Sequence, residues 1–302
     1  MRTPLPAHGG VTAVGGGRHG GTERLDFVGI GVQKAATSWL FTCLEEHPGI
    51  ASSRATSNKE LNFFNHNWEL GYRWLHNQFE FGDRLCGEFT SRYFHDANVP
   101  GRVAAYRPDI KLLLVLREPV ARALSQHRHE MRRLRVPPGF TFPDALEENP
   151  SYFEQGRYAT HLERWRGHFD DSQFLVLLYD DVSADPVGTV RRVFRFLGVD
   201  DQVQPPSATK RVNAPVTYRW PALARASGRL SVAVERSLGG RALKGLVSTG
   251  VPAVVRRLNS SPVDGTDGEA PDESVLGQLR NSFADEVERL EKLIGRDLAS
   301  WK

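Results

Sequence analysis

Lys34 stands in the run Gln33-Lys34-Ala35-Ala36-Thr37-Ser38, between the apolar stretch Phe27–Val32 and an amphipathic stretch that begins near Trp39. Small residues, two hydroxyls and one ammonium at a strand-to-helix turn are the parts of an anion site. The turn's backbone N–H groups, the positive end of the following helix, the hydroxyls and the lysine converge on one spot that suits a phosphate or a sulfate. The order of residues sets this loop apart from a nucleoside-triphosphate loop, where the lysine follows the last glycine and immediately precedes Ser or Thr. Here Ala35 and Ala36 separate Lys34 from Thr37 and Ser38. The run describes anion binding without spelling a Walker A motif.

A second group follows the apolar run Leu112–Leu116, where Arg117 leads into Glu118-Pro119-Val120-Ala121-Arg122-Ala123-Leu124-Ser125. An arginine at the carboxyl end of a buried strand emerges where open α/β sheets bind ligands. Ser125, about two helical turns further on, adds a hydroxyl to an anion held by the guanidinium. A structural ion pair for Arg117 and a surface position for Ser125 are the competing readings. Ser57-Asn58-Lys59-Glu60 also spells a capping box, in which Glu60 reaches back to the Ser57 amide.

Alternating apolar runs and helical segments position these residues. Strands are predicted near Asp26–Val32, Leu85–Phe89, Lys111–Leu116 and Phe174–Tyr179, and helices near Ser38–Glu46, Val120–Leu134 and Pro186–Leu197. The runs Leu112–Leu116 and Phe174–Leu178 are continuously apolar, as strands buried on both faces of a parallel sheet are. Gly198 supplies a helix C-cap. The fold class is α/β: a P-loop-like parallel β-sheet flanked by helices on both faces, in a single domain over 25–302. Leu276, Leu279, Phe283, Val287, Leu290 and Leu293 predict one closing amphipathic helix packed on the core. Residues 260–273 read as a loop, and residues 219–257 carry eight basic residues against the single acid Glu235. That basic stretch reads as solvated helix faces or, within 219–273, as a variable lid over the acceptor.

Composition bounds the function classes. A formal net charge of +3 is too small to suggest nucleic acid, and 40% hydrophobic with 25% charged residues is ordinary for a soluble globular chain. Residues 1–24, rich in Gly, Pro, His and Arg, read as a disordered leader without the apolar core of a signal peptide. Cys43 and Cys86 read as buried thiols outside any disulfide framework, and a soluble, cytoplasmic protein without a membrane span is expected.

Taken together, these segments resemble the sulfotransferases that use 3′-phosphoadenosine 5′-phosphosulfate, in particular the branch shared by bacterial and glycosaminoglycan enzymes. Gln33–Leu40 resembles that family's 5′-phosphosulfate loop, and Leu116–Ser125 its 3′-phosphate motif. Asn58-Lys59-Glu60-Leu61-Asn62-Phe63-Phe64, Gly87-Glu88-Phe89-Thr90 and Leu178-Tyr179-Asp180-Asp181-Val182 fall in the family's order. The resemblance covers about residues 27–199 and implies sulfuryl transfer to a hydroxyl, or to an amine, of a small metabolite or saccharide. It implies that Lys34, Ala35, Ala36, Thr37 and Ser38 hold the 5′-phosphosulfate, with Lys34 on the leaving oxygen. Arg117 and Ser125 hold the 3′-phosphate, and Tyr179 lies near the nucleotide. Lys210 and Arg211 stand roughly where the animal enzymes place a further basic loop. Glu60 becomes the general base, with His66 and His95 in reserve. Lys59 either helps neutralise the sulfuryl group or is solvated, and Glu88 and Arg92 either line the acceptor site or form a surface pair. No metal is implied, because the lysine and arginine supply the positive charge, and His127 and His129 face different ways on a helix. The product would be adenosine 3′,5′-bisphosphate.

The chain departs from the family pattern at Ala36, which replaces the usual loop glycine and carries strain if its φ is positive. Two other readings stay open at this level. One is a P-loop kinase with Asp180 or Asp181 as a metal ligand; the other is a catalytically silent nucleotide-binding protein. The acceptor pocket is expected from residues 62–81, 132–158 and 218–258, and the oligomeric state is open.

Overall fold

Phenylalanine and glycine alternate across the two central strands and fix how they pair. The computed structural model describes residues 24–51, 53, 59–133, 135–137, 139–210, 216–218, 260–262 and 271–302. In it β1 (Phe27–Gly31) runs into α1 (Thr37–Glu45), β2 (Ile50–Ala51) and α2 (Gly71–His76) follow, and β3 (Leu85–Phe89) returns beside β1. Phe27 lies opposite Gly87 and Gly29 opposite Phe89. Each ring fills the space left by its partner: a Cβ on Gly29 would stand 2.2 Å from the Phe89 ring, and one on Gly87 would stand 2.4 Å from the Phe27 ring.

The chain continues through α3 (Val99–Tyr106), β4 (Lys111–Leu116), α4 (Pro119–Arg132), α5 (Phe142–Glu148), α6 (Ser151–Glu154) and α7 (Tyr158–Arg166) to β5 (Phe174–Leu178). All five strands are parallel, in the order β2-β3-β1-β4-β5. Leu112–Leu116 are fully buried, as a central strand covered on both faces requires. The connection from β1 out to β2 runs opposite to those that lead to β4 and β5. The right-handed crossover rule therefore places α1 on one face and α3 and α4 on the other.

After β5 come α8 (Tyr179–Ala184) and α9 (Pro186–Leu197), and α9 ends at Gly198 with φ 83, the left-handed C-cap expected. The following segment is tied back to α1. The Trp39 indole donates to the Ser207 carbonyl at 3.0 Å, and the Glu46 carboxylate accepts from the Ser207 N–H and hydroxyl at 2.8 and 2.7 Å.

The predicted strands and helices agree with the observed ones to within two residues among those described; Leu134 lies outside them. Helices α2, α3, α5, α6, α7 and α8 have no counterpart among the predicted elements, and three further differences have physical reasons. Strand β2, with two residues, is too short to show a period. The closing helix is two helices, α10 (Glu273–Ser282) and α11 (Ala284–Ile294), broken at Phe283, whose ring stacks on Phe153 at 4.8 Å. The break spans one residue with near-helical φ −95 and ψ −3, so the stripe keeps its phase and Leu279, Phe283, Val287 and Leu290 are all buried. Ser260–Pro262, expected in a loop, form β7, paired antiparallel with β6 (Val216–Tyr218). The basic stretch 219–257 and residues 1–23 of the leader lie outside the described residues. Among the described residues, no helix is long and apolar enough to cross a membrane.

Candidate active site

The turn from β1 to α1 reverses backbone handedness twice: Lys34 has φ 71 and Ala36 has φ 60. Such left-handed steps curl successive N–H groups into a concave surface that favours an anion. Ala36 is the N-cap of α1, its methyl side chain makes no capping bond, and the first turn of the helix carries no acidic residue. The orphan N–H groups and positive dipole end of α1 therefore open onto this concavity. The strain anticipated for Ala36 is real. An alanine at φ 60 and ψ 16 costs on the order of 1 kcal/mol that a glycine would not.

A cleft of about 750 Å³ opens against this loop. Lys34, Thr37 and Ser38 line it, together with Lys59, Glu60, Ser91, Arg92 and His95. Burial, reinforced by Arg132 and neighbouring arginines, lowers the Lys34 ammonium to about 8. Lys59 donates to the Thr37 hydroxyl at 2.7 Å and lies 3.5 Å from the Ser38 hydroxyl, and burial lowers it to about 8 as well. Glu60 does not act as a helix cap here; its Oε1 accepts from the Ser91 N–H at 3.3 Å and from the Ser91 hydroxyl. Ser57 and Asn58 lie outside the described residues. The rest of the lining comes from α4 and the chain beyond it, including Gln126, His129, Asn149, Ser151, Tyr152 and Gln155. Of the three segments expected to form the acceptor pocket, residues 132–158 contribute, 62–81 pack instead into an aromatic cluster around Phe63, Trp68 and Tyr72, and most of 218–258 is outside the described residues.

Arg117 reaches the same loop from β4. Its guanidinium donates to the Lys34 carbonyl at 3.0 Å and lies 4.5 Å above the centre of the Tyr179 ring, while the Tyr158 hydroxyl holds the Arg117 carbonyl at 2.8 Å. Glu118 caps α4 with bonds to the Val120 and Ala121 N–H groups, and Pro119 occupies the first turn as expected. Two N–H groups at the N-terminus of α4 are thus satisfied by Glu118, and one Arg117 N–H is on the Lys34 carbonyl. Arg117, Ser125 and Tyr179 do not line the 750 Å³ cleft; Arg117 and Tyr179 form a second cluster joined to it through the Lys34 carbonyl. Ser125 is half-buried on α4. Lys210 is exposed at the end of the segment tied to α1, and Arg211 lies outside the described residues.

Glu88 requires a correction. It neither lines the cleft nor pairs with Arg92, but is a buried carboxyl pushed up to about 7 by burial. It accepts from the Thr90 hydroxyl at 3.0 Å and from the Tyr93 hydroxyl. Those hydroxyls in turn accept the Asn62 and Phe64 N–H groups, both at 3.1 Å, so Glu88 brackets the segment that carries Lys59 and Glu60. A carboxylate ending a buried strand, with Thr and Tyr two and five residues on, was the available signal. His66 is exposed and absent from the cleft lining. His95 lines the cleft, but burial and His161 lower its imidazole to about 4. Asp181 is held by Arg296 at 2.9 and 3.0 Å and Asp180 accepts from the Trp301 indole at 3.2 Å, so both serve to dock the C-terminal segment.

The profile of the sulfotransferase domain matches residues 25–213. The chain belongs to the sulfotransferase domain family. It is 32% identical over 179 residues to mouse heparan sulfate glucosamine 3-O-sulfotransferase 3B1, covering 56% of this chain and 45% of that protein. It is 30% identical over 193 residues to mouse bifunctional heparan sulfate N-deacetylase/N-sulfotransferase 4, covering 57% of this chain and 22% of that one. The chain thus spans less than half the length of these relatives. The crystal structure of a sulfotransferase from Alicyclobacillus acidocaldarius superposes with a TM-score of 0.65 at 23% identity, over 92% of this chain and 98% of that one, and shares the fold.

The departure at Ala36 gives a direct test. Relief of left-handed strain outweighs the extra freedom glycine gives the unfolded chain, so Ala36→Gly should stabilise the protein by about 0.5–1 kcal/mol. Thermal unfolding should shift upward by about 1–3 °C. A lower melting temperature would show that the turn does not need φ > 0 at this position.

Proposed function

We propose that the protein moves a sulfuryl group from 3′-phosphoadenosine 5′-phosphosulfate to a hydroxyl, with an amine as the second acceptor class, of a saccharide or small metabolite. The observation that carries this reading is the turn at Lys34 and Ala36. It opens the N-terminus of α1 beside a buried ammonium and Arg117, in a chain of the sulfotransferase family. The names of the relatives favour a saccharide, and so does the cleft, where Asn149, Ser151 and Gln155 bring amides and a hydroxyl to the wall that a polyol would meet. Two buried free thiols, Cys43 and Cys86, favour a reducing compartment such as the cytoplasm.

When bound, the donor supplies an SO3 group carried on a phosphate leaving group. The protein's part is to position the partners and neutralise developing charge. The N–H groups of Ala35 to Ser38 and the two hydroxyls hold the 5′-phosphate, and Lys34 neutralises the bridging oxygen as it takes the electron pair of the breaking S–O bond. Arg117 and Ser125 hold the 3′-phosphate, with Lys210 and Arg211 at its edge, and the Tyr179 ring keeps the guanidinium in place. Glu60 takes the acceptor's proton as the new bond to sulfur forms. Ser91 fixes one of its carboxylate oxygens, and the other has no partner among the described residues. His95, lowered to about 4, is a poorer base at neutral pH.

Transfer of label from radiosulfate-labelled donor onto desulfated heparan sulfate tests the reading. Glu60→Gln should lower kcat by about a hundred- to ten-thousandfold with donor affinity retained. Unchanged turnover would remove Glu60 from the base role, and no transfer to any saccharide would overturn the saccharide assignment. The buried lysines add a pH dependence. An ammonium lowered to about 8 is charged below that pH and loses its proton above it. Affinity for adenosine 3′,5′-bisphosphate should therefore weaken as pH rises through 8; affinity that stays level to the ordinary lysine range, about 10.4, would contradict the burial of Lys34 at the anion.

A further inference from the structure

Arg122 is a fully buried arginine on α4 whose hydrogen bonds go to amide oxygens. It donates to Gln126 Oε1 at 2.7 Å, to Gln155 Oε1 at 3.4 Å and to the Tyr152 carbonyl. A guanidinium only donates, so both side-chain amides turn their oxygens toward it and their NH2 ends away. The NH2 of Gln126 meets Ser151 Oγ at 3.0 Å. Gln126, Ser151, Tyr152 and Gln155 line the cleft, and Arg122 is not among its lining residues.

One direction runs through three side chains of this wall. Gln155 has its oxygen on Arg122, so what it turns to the cleft is N–H. Ser151 Oγ accepts from Gln126, which leaves the hydroxyl proton to be given outward. Asn149, also in the lining, accepts the Ser151 N–H on Oδ1 at 3.0 Å, so its NH2 points away from that bond. The oxygens are taken up within the protein and the protons are offered to the cleft, so this wall is a set of donors. The acids on the same side disfavour an anion there: Glu130 follows Gln126 by one helical turn and pairs with Arg135 at 3.4 Å, and Glu148 adjoins Asn149. An ammonium would set N–H against N–H. A neutral oxygen with lone pairs and no proton meets neither conflict, and an amide carbonyl is such a group.

We infer that Asn149, Ser151 and Gln155 form a subsite for the N-acyl carbonyl of an acylated amino sugar, and that Arg122 is the positioning residue that fixes its donor polarity. The inference rests on the saccharide reading above and narrows it. An acylated nitrogen shares its lone pair with the carbonyl and is no nucleophile, so a sugar unit seated here offers hydroxyls alone to the sulfuryl group. Selectivity follows from burial. Gln155 is only 6% exposed, and a ligand without the acyl oxygen leaves its donor unpaired. A site built to bond such an oxygen rejects the analogue that lacks it more strongly than it holds the one that carries it.

Binding without turnover tests both parts. The full chain, saturated with adenosine 3′,5′-bisphosphate, is titrated with desulfated, N-acetylated heparan sulfate, with its carboxyl-reduced form and with its de-N-acetylated form. Bisphosphate binding itself reports that each variant is folded. Gln155→Glu turns a donor into an acceptor while keeping an oxygen for Arg122. It should cost about ten- to hundredfold in affinity for the two forms that retain the N-acetyl group, and less than about threefold for the de-N-acetylated form. Arg122→Met should erase the native preference for the N-acetylated over the de-N-acetylated form, and Arg122→Lys, which still only donates, should keep it. A preference that survives Arg122→Met with bisphosphate binding intact removes Arg122 from the positioning role; if that variant does not fold, Gln155→Glu decides the subsite and Arg122→Lys the polarity. A Gln155→Glu penalty equal on all three forms, or absent, overturns the inference. So does a penalty that vanishes only on carboxyl reduction, which would assign the wall to a carboxylate. A native chain that binds the bisphosphate but none of the three polysaccharides overturns the saccharide reading itself.

Discussion

Chain reversal between β1 and α1 through two left-handed residues is the constraint on which the site depends. With Lys34 at φ 71 and Ala36 at φ 60, the backbone turns sharply enough to leave α1 without a capping side chain. Unsatisfied N–H groups at a helix start are costly unless water or a ligand takes them, so the turn is built for an anion. Its geometry is enforced from both sides. Gly31, at φ 154, would place a Cβ 3.1 Å from the Ser91 carbonyl, so the end of β1 lies against the residue that holds Glu60. Arg117 clamps the opposite side through the Lys34 carbonyl.

Electrostatics then divide the labour between the two sides. The cleft is supplied with positive charge by lysines that burial lowers to about 8, whereas the Arg117 guanidinium on the other side is tied to the loop through the Lys34 carbonyl. Among the carboxylates nearby, Glu118 caps α4, Glu88 is hydrogen-bonded by Thr90 and Tyr93, and Glu60 is steadied by Ser91 through one oxygen, while Glu130 and Glu148 also line the cleft. Of the four acids between β2 and β3, Glu60, Glu69, Glu80 and Asp83, it is Glu60 that lines the cleft.

Much of this was legible in the sequence, for reasons that differ from residue to residue. Leu112–Leu116 announced a buried parallel strand because burial on both faces removes polar residues altogether, whereas the equally apolar Phe174–Leu178 is parallel but forms the sheet's edge, with Phe174, Leu175 and Val176 half-buried. Lys34 and Arg117 were legible because a strand-end position is local to the chain. Ala36 was legible as a question about φ, which the fold answered. Glu88 was not, because a buried carboxyl is stabilised by hydroxyls and amides that only the folded chain brings to it. The link from Lys59 to Thr37 and the cleft wall of Gln126, Ser151 and Gln155 are likewise contacts between distant segments. Glu60 shows local spelling overruled by tertiary structure: a capping-box pattern delivers its carboxylate to Ser91, 31 residues away.

The central claim is that this turn, with Arg117 beside it, is a site for a nucleotide bearing phosphates at both the 5′ and 3′ positions. Titration calorimetry with adenosine 3′,5′-bisphosphate, adenosine 5′-monophosphate and magnesium-ATP tests it most directly. The account predicts that the bisphosphate binds tightest, by at least about tenfold over the monophosphate, and that Arg117→Ala removes the difference. Magnesium-ATP binding as well as the bisphosphate, or better, would contradict it.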